Sequence, residues 1–76
     1  MKVLFKFACY DSVDGRTMTN YRVIEDTDEY SHVCYRIQFY MRHYRRWANE
    51  YQQFIHWSTL ESLMKSEQFR LLFGRL

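Results

Sequence analysis

The chain has 76 residues and a mass of 9.5 kDa, with eleven lysines and arginines against nine acids for a net charge of +2. At this length a single core is only marginally sufficient, so one domain is expected, with the 20% aromatic content supplying extra buried area per residue. Two cysteines cannot make a disulfide framework, and no apolar run is long enough to cross a membrane as a helix.

Cys9 and Cys34 read as reduced core residues of a cytosolic protein. The N-terminus begins like a lipoprotein signal, with Lys2, apolar residues and a cysteine, but Lys6 interrupts the run, and a soluble cytoplasmic protein is expected. Charge is distributed unevenly. Residues 11–29 hold six acids against Arg16 and Arg22, a net −4, whereas residues 30–49 hold Arg36, Arg42, Arg45 and Arg46 with no acid, a net +4.

Lys2 to Tyr10 alternates, with Val3, Phe5, Phe7 and Cys9 on one face, and predicts a strand. Thr17 to Glu25 predicts a second, so residues 2–25 form a hairpin. A two-residue Asp-Gly turn would mix the faces. A loop of Val13, Asp14 and a left-handed Gly15 instead pairs Phe7 with Tyr21, Phe5 with Val23 and Cys9 with Thr19, at the cost of placing Lys6 opposite Arg22. Both edges of a lone hairpin would be open.

Residues 28–57 contain no glycine or proline and fit a long amphipathic helix. With Tyr30 as heptad position a, all twelve a, d and e positions from Tyr30 to Ile55 are apolar or aromatic. Asp26 or Thr27 can cap its start, and Asp28 and Glu29 suit the positive end of the helix dipole. About 28 residues at 1.5 Å each make a rod of about 42 Å, longer than the roughly 30 Å expected across a domain of this size. The helix therefore either breaks near Ala48 and Asn49 or has its stripe covered by a second molecule. Ser58 to Glu61 has the form of a capping box and starts a C-terminal helix over 59–73, or two short ones if Ser66 caps again, with Gly74 as its stop. The predicted fold class is α+β: an N-terminal β-hairpin packed on one long helix, followed by a short C-terminal helix, completed by dimerisation.

Little in the sequence points to catalysis. His32, His43 and His56 fall off the apolar stripe at spacings of 11 and 13 and read as solvent-exposed, and Ser58 is explained as a cap. Asp11 and Asp14 before Gly15 begin like a calcium loop but lack its later ligands, and read as turn formers. Glu25, Asp26, Asp28 and Glu29 are accounted for by the helix start, while also offering a docking patch to a basic partner.

The outer face of the predicted helix is harder to account for. Tyr35, Phe39, Arg42, Arg46, Asn49 and Gln53 would follow one another along it, flanked by Arg36 and Arg45, with His43 nearby. Three readings compete. Tyr35 and Phe39 are covered by the C-terminal segment and the arginines are solvated; or the row binds a protein, since interface centres favour Tyr, Phe, Trp and Arg; or it binds nucleic acid through phosphate contacts and stacking, against which stand the small net charge and the neighbouring acidic segment. Of the two functional readings the protein partner is preferred. The expectation is a non-enzymatic, cofactor-free interaction protein that modulates, and in one version inhibits, a larger partner through Tyr35, Phe39, Arg36, Arg42, Arg45 and Arg46. It would form a homodimer and have no membrane association and no small-molecule substrate. A nucleic-acid-binding protein and a purely structural homodimer are the alternatives.

Overall fold

Alternating side chains along four stretches of the chain build an antiparallel sheet in the order β1-β2-β3-β4: β1 Lys2–Tyr10, β2 Met18–Thr27, β3 Val33–Met41 and β4 Arg46–Asn49. Two short helices follow, α1 Leu60–Met64 and α2 Glu67–Phe73. The computed structural model describes residues 1–10, 15–51 and 55–73.

The first hairpin has the expected register. Phe7 lies opposite Tyr21, Phe5 opposite Val23, Cys9 opposite Thr19 and Lys6 opposite Arg22, and Gly15 adopts φ +65°. Val13 and Asp14 of the expected loop lie outside the described residues. A bulge at Leu4 shifts the pairing so that Val3 meets Ile24.

The long helix over 28–57 is not formed. Within that range the chain makes a turn, β3, a second turn and β4, and then returns to the β3 edge where Trp57 pairs with Tyr35 through hydrogen bonds of 2.8 and 3.0 Å. The reason is visible in β3. Val33, Tyr35, Ile37, Phe39 and Met41 alternate with Cys34, Arg36, Gln38 and Tyr40, a period-two pattern built from β-branched and aromatic residues that favour strands. The fold class is therefore a four-stranded antiparallel sheet with two helices of five and seven residues, in place of a hairpin on a long helix. The overhanging rod disappears with it, and the molecule measures 39 × 28 × 20 Å. Phe54, Gln53 and the expected stop at Gly74 lie outside the described residues.

Asp28 organises the β2–β3 turn. Its carboxylate Oδ1 accepts the backbone N–H groups of Tyr30 at 2.8 Å and His32 at 2.9 Å, and Ser31 takes φ 64°. These are the acidic residues that had suggested a helix start; a carboxylate that can cap a helix can equally close a turn.

The C-terminal segment forms two helices. Thr59 caps α1, accepting the Ser62 N–H at 3.1 Å, one residue later than the capping box had indicated. Ser66 then accepts the Phe69 N–H at 3.1 Å and opens α2. Both helices lie on one face of the sheet, where Leu63, Phe69 and Leu72 close over Cys9, Tyr21, Val23 and Ile37. Phe69 meets Phe5 and Phe7 edge-on with centroids 6.2 and 5.8 Å apart, and Phe7 stacks on Tyr21 at 5.4 Å. The Cys9 thiol donates to the Leu72 carbonyl at 3.0 Å, so both cysteines are free and buried as expected. Among the described residues no helix is long and apolar enough to cross a membrane.

Two outcomes follow for stability. Leu63 is fully buried, and Leu63→Ala should lower the unfolding free energy by about 3 kcal/mol, a large part of the roughly 4–11 kcal/mol expected for a domain of this size; urea denaturation measures the loss. The N–H bonds of His32 and Tyr30 hold the Asp28 carboxyl below the usual aspartate value. A depressed native pKa gives stability that is present above the unfolded value and lost as pH falls through the native one. An NMR titration should therefore find Asp28 below the usual aspartate value, with the Tyr30 and His32 amides shifting in the same acid step, and Asp28→Asn should remove that step.

Candidate interaction surface

The sheet's second face carries no helix among the described residues, and its side chains are linked directly across strands. On β2, the Arg22 Nε donates to Gln38 Oε1 of β3 at 2.8 Å, and the Gln38 amide donates to Asn49 Oδ1 of β4 at 3.1 Å. Each link joins residues that stand opposite one another in the register. The Arg22 guanidinium lies 4.4 Å from the centre of the Trp47 ring, which in turn meets Tyr40 edge-on at 5.3 Å. Burial lowers the pKa of Arg22 from the ordinary arginine value. Towards the other end of the face, Ile24 and Cys34 are buried outside the main core.

The six residues expected to form one binding row divide into three groups. Tyr35 and Phe39 alternate with Ile37 on the helix-covered face and pack against the core. That answers the question raised by their placement: two aromatics without a reason to face water are in fact covered. Arg36 is half-buried on the opposite face, directly across from Ile24. Arg42, Arg45 and Arg46 come together at the β3–β4 turn, all exposed.

That turn is tight. Tyr44 N–H donates to Met41 O and Arg45 N–H to Arg42 O, both at 3.3 Å, and Arg45 adopts φ 51°, a left-handed conformation unusual for a side chain of its kind. Tyr44 is 70% exposed, and the Arg46 guanidinium lies 5.6 Å from its ring centre. His43 completes the turn. No acid occurs between Met41 and Asn49, and among the described residues none of the three arginines forms an ion pair. Sequence reasoning singled out these arginines, and placed Asn49 in a helical row with them, but missed Arg22, Gln38 and Trp47; strand register is what brings these three together with Asn49.

The meander also separates charge in space. Antiparallel β3 carries the chain from the acidic turn of Asp28 and Glu29 to the basic turn of Arg42–Arg46, and nine residues of strand span about 30 Å. His32, His43 and His56 are all exposed, and the described residues contain no cluster of histidine, cysteine or acids that could hold a metal ion. Comparison with protein-family models, curated proteins and solved structures found no match to this chain.

Glycine carries no penalty at the left-handed position that Arg45 occupies. Arg45→Gly should leave the fold intact and raise its stability by up to about 1 kcal/mol, measured as an upward shift of the urea midpoint.

Proposed function

We propose that this is a non-catalytic cytoplasmic interaction protein that binds and modulates a larger protein partner through the exposed β3–β4 turn. The observation that carries this reading is the density of the turn: Arg42, His43, Tyr44, Arg45 and Arg46 are consecutive, exposed and without an acid among them. Arginine and tyrosine together are the residues that interface hot spots favour, and a strained turn residue is a feature that clusters at functional sites. An acidic surface on the partner would supply the charges that this turn lacks. Tyr35 and Phe39 contribute by supporting β3 from the core, and Arg36 flanks the open face. The reading needs no cofactor and no small-molecule substrate.

A second reading, single-stranded nucleic acid, is favoured by the adjoining Trp47 and Tyr40 on the two strands that the turn joins, which could stack on bases beside phosphate-binding arginines. A homodimer belongs to the proposal as well; its support is no longer a projecting rod but the outer edge of β1.

The joint substitution of Arg42, Arg45 and Arg46 by alanine tests the turn. Partner capture from nuclease-treated native extract should fall about tenfold or more, as loss of several charge contacts predicts, and should weaken in the unmodified protein as salt is raised. Capture unaffected by the triple substitution would remove the turn from the interface. If capture vanishes with nuclease, and a labelled single-stranded oligonucleotide raises anisotropy with a steep salt dependence, the target is nucleic acid.

A further inference from the structure

We propose that β1 pairs with β1 of a second copy, antiparallel and centred on Phe7, joining two four-stranded sheets into one continuous sheet. The inference rests on the homodimer part of the proposed function and is independent of the basic turn. β1 is the terminal strand of the sheet, and among the described residues nothing pairs with its outer edge. Exposed edges are ordinarily blunted by bulges and lysines. Here the bulge at Leu4 and Lys2 protect only the first part of the strand. From Phe5 to Tyr10 the ladder is regular, and Lys6 is its single charge.

That regular stretch is bordered by apolar surface. α2 lies over β1, with Phe69 against Phe5 and Phe7, and it ends in Phe73, whose ring centre is 5.7 Å from that of Phe7. Phe73 is nevertheless 46% exposed, and Tyr10 at the strand's end is 47% exposed. A two-fold axis beside Phe7 brings the Phe7 and Phe73 rings of the two copies together and covers apolar surface that the single chain leaves in water.

The register follows from the strand's own residues. Antiparallel neighbours share a face, so centring on Phe7 sets Phe5 opposite Cys9 of the other copy and Lys6 opposite Ala8. Centring on Lys6 would oppose two ammonium groups, and centring nearer Tyr10 would leave Phe5 unpaired. The same axis sends the two basic turns to opposite ends of the joined sheet. Each then shares its end with the other copy's acidic turn, so like charges stay apart.

Sedimentation equilibrium over about a hundredfold range of concentration tests the pairing. The mass should rise from 9.5 kDa towards twice that value. Ala8 lies on the helix-free face, so its substitution leaves the core intact, which circular dichroism checks. Ala8→Lys surrounds the axis with like charges and should weaken the dimer about tenfold, whereas Ala8→Glu places a carboxylate against Lys6 of the other copy and should strengthen it roughly threefold to tenfold. In the unsubstituted protein, hydrogen exchange at every second amide of Phe5–Tyr10, those that point away from β2, should slow as concentration rises. A mass that stays at 9.5 kDa overturns the proposal, as does exchange that ignores concentration. A dimer indifferent to both Ala8 substitutions overturns it too, because its interface is then elsewhere. A strand donated by a different protein would give the first of these results. Joint alanine substitution of Arg42, Arg45 and Arg46 should leave the dimer mass unchanged, which separates failure of this pairing from failure of the partner-binding turn.

Discussion

β3 is flanked on both sides, by β2 along most of its length and by β4 and then Trp57 along the other edge. Its period-two alternation sets the rest of the molecule. Tyr35, Ile37 and Phe39 fall on one face and define where the helices must pack; Gln38 and Tyr40 fall on the other and define where Arg22, Asn49 and Trp47 can meet. A shift of one residue would exchange these sets, exposing Ile37 and burying Gln38. Because β2 and β4 both take their register from this strand, the core and the polar linkage on the far face are specified together.

The hairpin was legible in the sequence because its two strands tested one another. Only one register gathered Phe5, Phe7, Tyr21 and Val23 on a single face, and that is the register formed. β3 offered no such cross-check. In a chain so rich in aromatic residues, a heptad template that accepts tyrosine and tryptophan as apolar is filled readily, and twelve matches carried less information than their number implied. Local preference pointed the other way: Val33, Cys34, Tyr35, Ile37, Phe39 and Tyr40 are weak helix formers and several are strong strand formers. The helix also left two difficulties, a rod too long for the chain and aromatics facing water, and the strand removes both. The β3–β4 turn was concealed for a separate reason. It contains no glycine, proline, asparagine or aspartate, and Arg45 occupies the left-handed position that such residues usually mark.

The arginine cluster was found for a reason that survives the change of fold. Consecutive residues stay together whether they lie on a helix or in a turn, so Arg42, Arg45 and Arg46 form a local basic patch in either case. Tyr35 and Phe39 could not be treated that way. Their association with the arginines depended on a helical spacing of three and four residues, and in a strand the same residues point to the core. The Arg22, Gln38 and Asn49 linkage spans three strands and has no local signature at all; it is readable only once the register is known.

Part of the charge separation along the sequence thus lies along the sheet axis, with Asp28 and Glu29 at the β2–β3 turn and Arg42, Arg45 and Arg46 at the β3–β4 turn. Such a bipolar molecule discriminates between ways of associating. Edge pairing through an antiparallel β1 distributes the charged turns so that each end of the joined sheet holds one of either sign, whereas a parallel alignment would collect like turns together. At about 30 Å of strand, these charges are several screening lengths apart at physiological salt. They therefore act chiefly on encounter and orientation, while any lasting stability of the pair must come from the backbone ladder and the Phe7 and Phe73 rings. The same separation leaves both basic turns distant from the shared edge. A dimer would present two copies of the turn, and a partner with two suitably spaced acidic sites could be held more tightly than either turn alone allows.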